Sequence, residues 1–177
     1  MTDHAHIRGI LPHRHPILMV DRIDELEYYD RIVAVKAVTG SEPCYAGIPD
    51  TADPRRFAYP RSLMVESFGQ SGAVLWLESI RQDGKALEGS LIFASARDVT
   101  FHRDAYPGDT LRHVAHIDRI VGDNAFLHGR TLIDGELAAD YGSVIAVVRR
   151  TDSLAGPESP AAPRLAAQPE QPTMEEA

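Results

Sequence analysis

Arg61-Ser62-Leu63-Met64-Val65-Glu66-Ser67-Phe68-Gly69-Gln70-Ser71-Gly72-Ala73-Val74-Leu75-Trp76-Leu77-Glu78-Ser79-Ile80 is the stretch whose reading decides the fold. No proline interrupts it, and Pro60 stands where the first turn of a helix tolerates one. The pattern predicts one long helix over residues 61–80. Apolar side chains fall nearly all round it, so the helix is expected to be buried rather than laid on a surface. Gly69 and Gly72 each cost about 1 kcal/mol relative to alanine inside a helix. Close approach of a second backbone, here a sheet, is the compensation expected.

On both sides of this stretch the pattern changes to strands. Ile17–Ile23 and Arg31–Val38 read as strands ahead of the helix. Residues 40–60 carry Gly40, Pro43, Gly47, Pro49, Pro54 and Pro60 and read as an irregular loop. Four strand-like stretches follow the helix, at 89–101, 110–121, 124–134 and 136–149. Pro107-Gly108-Asp109, Gly122-Asp123-Asn124 and Asp134-Gly135 separate them, the last a tight-hairpin signal. Two strands, one buried helix and a run of antiparallel strands make an α+β layout. The helix then lies against one face of a curved antiparallel sheet.

The chain has 177 residues, room for one domain and a tail. The domain is expected over residues 1–150. Residues 152–177 hold five of the twelve prolines and no aromatic side chain, so 151–177 reads as a disordered tail. Hydrophobic residues make up 44% and charged residues 25%, as in soluble globular proteins. The net charge of −8 gives no basic excess for nucleic acid. The apolar runs Ala73–Leu77 and Val144–Val148 fall far short of the roughly 20 residues of a membrane-spanning helix. Met1-Thr2-Asp3-His4-Ala5-His6 carries no basic start before an apolar stretch, and the single cysteine, Cys44, forms no internal disulfide. Both features point to the cytoplasm.

Leu11-Pro12-His13-Arg14-His15-Pro16-Ile17-Leu18-Met19-Val20-Asp21-Arg22 closely resembles the opening motif of the FabZ-type β-hydroxyacyl-(acyl carrier protein) dehydratases. Three further stretches match in order: Glu42-Pro43, Leu63 to Gly72, and Phe101-His102-Arg103-Asp104-Ala105-Tyr106-Pro107-Gly108-Asp109. Together they cover about residues 7–150. The resemblance implies the hot-dog fold, an antiparallel sheet wrapped around one long central helix. It also implies pairing that makes two protomers' sheets continuous.

In that family a loop histidine removes the α-proton of a 3-hydroxyacyl thioester. A carboxylate near the start of the central helix, from the opposite protomer, protonates the departing β-hydroxyl. Loss of water needs such a base and acid on either side of the Cα–Cβ bond. Donors at a helix N-terminus suit the thioester carbonyl. Glu66 falls on the carboxylate position, and burial in its apolar segment should raise its pKa and keep it protonated. The substrate-facing positions implied around it are Ile48, Tyr59, Arg61, Ser62 and Gln70. The chain departs from the family at the histidine. Gly47-Ile48-Pro49 stands where the family has Gly-His-Phe-Pro, and no histidine occurs between His15 and His102. Arg61 stands where the family has glycine.

Other residues have plainer readings beside their chemical ones. His13 is structural in the family, with backbone groups near the helix entry as its expected partners. His4, His6, His13 and His15 form two His-x-His pairs that suit a metal, but a frayed polar N-terminus accounts for them more simply. Tyr45 and Tyr59 are expected as pocket walls, and Cys44 as a buried packing residue rather than a nucleophile.

Three functions remain open. The first is a dehydratase subunit of bacterial fatty-acid or polyketide biosynthesis, contributing Glu66 to a composite site with a His-bearing partner. The second is an enzyme acting alone, either a hot-dog acyl thioesterase or a dehydratase with a displaced histidine as base. The third is a non-catalytic subunit that binds acyl groups or the carrier. The substrate implied is an acyl thioester on acyl carrier protein or coenzyme A, and the chain pairs with itself or with a second dehydratase-like chain. No cofactor and no metal are implied, because elimination of water needs only an acid and a base.

Overall fold

The computed structural model describes residues 4–149. The expected tail at 151–177 lies outside the described residues. Six strands form one antiparallel sheet: β1 (Arg22–Glu27), β2 (Arg31–Ala37), β3 (Ser90–Phe101), β4 (Thr110–Val121), β5 (Asn124–Ile133) and β6 (Glu136–Arg149). Their order across the sheet is β1-β2-β4-β5-β6-β3, so β3 closes one edge beside β6. The hairpins β1–β2, β4–β5 and β5–β6 are local, whereas β2–β4 and β3–β6 join distant segments. Helix α2 (Arg61–Gln82) is wrapped by this sheet, and a short helix α1 (His4–Ile10) precedes it. This is the hot-dog arrangement.

Enclosure of α2 follows from its sequence. Met64, Phe68, Val74, Leu75 and Trp76 are fully buried, together with its small residues. Gly69 and Gly72 do make room for the sheet, but for its side chains rather than its backbone: a Cβ on Gly72 would come within 2.9 Å of the Leu127 side chain on β5, and one on Gly69 would collide with the Phe93 ring on β3. The buried serines satisfy their hydroxyls on the helix itself: Ser71 donates to Ser67 O at 2.8 Å and Ser79 to Leu75 O at 2.7 Å.

Two expectations at the N-terminal end are corrected. Residues 4–10 form α1 rather than a frayed end, because Ile7 and Leu11, four apart on one face, both sink into the core. The first strand starts at Arg22, not at Ile17. Met19 N–H and Ile17 C=O bond to the Gln70 side chain instead of a neighbouring strand. The first strand also runs on to Glu27, four residues past its expected end, whereas the boundaries of the other elements fall within two residues of those expected.

Under the helix runs a buried polar chain. Ser67 Oγ lies 3.0 Å from Met64 O and 2.9 Å from His113 Nε2 on β4. His113 Nδ1 lies 2.8 Å from Thr131 Oγ1, which lies 3.0 Å from Tyr141 OH. A neutral imidazole satisfies both ends, one ring nitrogen donating to a hydroxyl and the other accepting from one. Burial pushes His113 down to about 3. The unfolded chain therefore takes up a proton below about pH 6.5 that the native state refuses. Stability from this group is complete above that pH and falls as pH drops, by about 1.4 kcal/mol per unit until the native pKa is reached. Urea unfolding from pH 7 to 4 should show that extra slope in the wild type. The His113→Gln variant should lack it, whatever its absolute stability.

Candidate active site

Glu66 is the sixth residue of α2 and looks out of the helix toward the edge strand. Its side chain is 26% exposed, so the full burial expected from its apolar neighbours is not realised. Gln70 lies one turn further along the same face. Its Nε2 donates to Glu66 Oε1 at 2.9 Å and to Ile17 O at 2.7 Å, while its Oε1 accepts from Met19 N at 2.9 Å. A flipped amide would face a donor with a donor and a carbonyl with a carbonyl, so only this orientation works. Both amide hydrogens are used within the protein.

The third group is His13. Pro12 follows α1, and the chain turns at once: Ile17 N and Leu18 N both donate to Arg14 O. Arg14 Nη1 folds back to donate to Leu11 O at 2.8 Å and His13 O at 2.6 Å, clamping the turn from inside. The clamp aims the His13 ring at α2. Its Nε2 stands 3.6 Å from Glu66 Oε1, and its buried Nδ1 has no hydrogen-bond partner among the described residues. The backbone partners expected for His13 are not found. The motif marks this histidine, but only the folded turn reveals which side chain it faces.

His13, Glu66, Gly69, Gln70 and Ala73 line one wall of a small cavity of about 20 Å³. Leu91, Ile92 and Phe93 of β3 and Ala146 of β6 line the other. Its walls are apolar except at the end where Glu66, Gln70 and His13 meet.

The other expected substrate positions are not in this pocket. Tyr59 is 1% exposed and packs in the core, with its hydroxyl 3.9 Å from Met19 Sδ. Burial raises its pKa well above the usual tyrosine range. Ile48 is half-buried and rests against the core in the middle of the 40–60 loop. Ser62 is exposed in the first turn of α2. Arg61 is exposed as well, but its Nε and Nη2 donate to Asp104 Oδ1 at 3.2 and 3.0 Å, and its guanidinium lies 5.0 Å from the centre of the Phe101 ring. Tyr45 is buried, and burial pushes its hydroxyl up to about 12. Burial, then the Glu42 charge, pushes the Cys44 thiol up, away from the thiolate a nucleophile needs. His6 pairs with Glu78 at 3.2 Å. Among the described residues, no three His, Cys, Asp or Glu side chains come together as a metal site.

Residues 11–146 match the family model described as a FabA-like domain. The 3-hydroxyacyl-(acyl-carrier-protein) dehydratase FabZ of Staphylococcus carnosus is 35% identical over 146 residues, covering 82% of this chain and 94% of that protein. The Staphylococcus aureus enzyme of the same name is 34% identical over the same coverage. A solved structure titled as the dehydratase heterocomplex ApeI:P from Xenorhabdus doucetiae superposes with a TM-score of 0.70 at 11% identity, covering 84% of this chain and 93% of that one. The chain therefore belongs to the FabZ-type dehydratase family of hot-dog proteins. No helix among the described residues is long and apolar enough to cross a membrane.

The seam between Gly69 and Phe93 shapes the pocket wall and is open to a direct test. Gly69→Ala forces the Phe93 ring to move and should cost about 1–3 kcal/mol through overpacking. With Phe93→Ala in place the added methyl has room, and alanine's helix preference should make the same change neutral or stabilising. A double-mutant cycle by urea unfolding reads the difference.

Proposed function

We propose that this chain is a 3-hydroxyacyl-(acyl carrier protein) dehydratase subunit whose Glu66 serves as the acid of a composite site. A second, His-bearing dehydratase-like chain would supply the base. The observation that carries the reading is the Glu66 carboxyl. By the resemblance it falls on the family's acid position; it accepts from Gln70 and borders a small, largely apolar cavity. Against it stands Ile48, a side chain that takes no proton, at the position of the family's base.

The division of labour follows from the chemistry. A base removes the α-proton, the C–O bond breaks, and Glu66 protonates the oxygen as it leaves as water. In a pair of unlike chains one composite site has both groups. The other has the partner's carboxylate opposite Ile48 and lacks a base. Such a pair turns over at one site of two. Similarity to the FabZ enzymes supports a substrate carried on acyl carrier protein in fatty-acid or polyketide assembly, and a cytoplasmic setting. Edge strand β3, paired only with β6 in the single chain, is the natural seam for a partner's sheet.

Co-expression with a His-bearing dehydratase-like chain tests the reading. The purified pair should convert 3-hydroxyacyl-carrier substrate to the enoyl product faster than the partner alone. Glu66→Gln should lower that gain by about 10²–10⁴-fold. Equal rates for pair and partner, with Glu66→Gln silent, would sink it. Thiol release from acyl thioesters by the chain alone would favour a thioesterase instead.

A further inference from the structure

We infer that His13 is a positioning residue for Glu66, holding the carboxyl through Oε1 so that the acidic proton is carried and delivered by Oε2. The inference rests on the dehydratase reading above. Oε1 faces two nitrogens at once: Gln70 Nε2 at 2.9 Å and His13 Nε2 at 3.6 Å. The second distance is longer than a hydrogen bond, and loose contacts of this kind tighten when substrate is bound. Oε2 has no hydrogen-bond partner among the described residues.

The His13 tautomer follows from burial. Nδ1 is buried with no partner, so an N–H there would be a donor with no acceptor. The less costly neutral form leaves Nδ1 bare and puts the hydrogen on Nε2, facing Glu66. Two N–H donors then converge on Oε1. A carboxyl oxygen that accepts two donors is the carbonyl oxygen of the acid, so its proton resides on Oε2. On turnover the Oε2–H bond breaks, its proton joins the β-oxygen, and the C–O bond breaks to release water. The base takes the α-proton and the Cα=Cβ bond forms. The charge left on Glu66 stays on an oxygen already facing two donors. The Arg14 clamp fixes the turn and gives His13 its aim.

His13 is not the missing base in this arrangement, because its Nε2 bears a hydrogen where a base would offer a lone pair. The variants His13→Leu and His13→Gln separate the roles, since only glutamine can place an N–H near the Nε2 position. In the active pair, with folding checked by thermal unfolding, His13→Leu should lower kcat about 10- to 100-fold with KM little changed. His13→Gln should restore kcat to within about threefold of wild type. Equal loss in both variants would make His13 a proton carrier or a purely structural residue, and silence in both would remove it from the site. Either result overturns the inference. Nitrogen-15 NMR of the histidines in the full chain alone, at pH 8, is a readout independent of turnover. It should show His13 protonated on Nε2, with that signal moved by Glu66→Ala. A proton on Nδ1, or a signal indifferent to Glu66, overturns the inference even if every pairing is inactive. Inactivity of every pairing with the expected signal would instead count against the dehydratase reading alone.

Discussion

A helix enclosed on nearly every side by a sheet has no water to satisfy its polar side chains. Inward polar groups of α2 are therefore mostly matched by the protein, the buried Trp76 indole N–H being left without a partner among the described residues. Ser71 and Ser79 solve this locally, by bonding back to the helix. Ser67 solves it at a distance, through His113, Thr131 and Tyr141 on three successive strands. Gln70 solves it by reaching outward to the segment ahead of β1. Of these matches, the Ser67–His113 contact ties the helix to β4.

The same demand builds the site. Gln70 has two amide hydrogens and one carbonyl, and only one arrangement of loop and carboxylate uses all three. Fixing Ile17 and Met19 also fixes Glu66. Structure and chemistry share one side chain here, so the carboxyl is held by a residue whose loss would also release the N-terminal segment. The apolar pocket walls come from β3 and β6, which are far along the chain from the opening motif. The site therefore exists only after the β3–β6 pairing has formed.

Much of this is legible in the residues. The helix and the four strands after it announce themselves through local period and turn residues, and Gly69 and Gly72 foretell a close sheet. Ile17–Val20 misleads because an apolar run packed against a helix looks like one in a sheet. The deciding partner, Gln70, lies 51 positions from Met19. The placing of Tyr59 fails for a related reason. Its neighbours in sequence lie at the helix entry, yet its ring turns into the core beside Met19. Glu66 is legible as the candidate acid from its motif. Its partial exposure is not, because the groove beside it is cut by β3, which sequence distance hides. The orientation of His13 depends on a turn and an arginine clamp, and neither leaves a periodic trace.

Strand β3 contributes twelve residues to the edge of the sheet and is hydrogen-bonded to β6 alone. Its outward row of amides and carbonyls, flanked by the half-buried Leu91, Phe93 and Phe101, is a template for any extended backbone that arrives first. Molecules of this polypeptide made with that margin bare would present sticky rims to one another. Covering the rim would then be a solubility requirement before it is anything else.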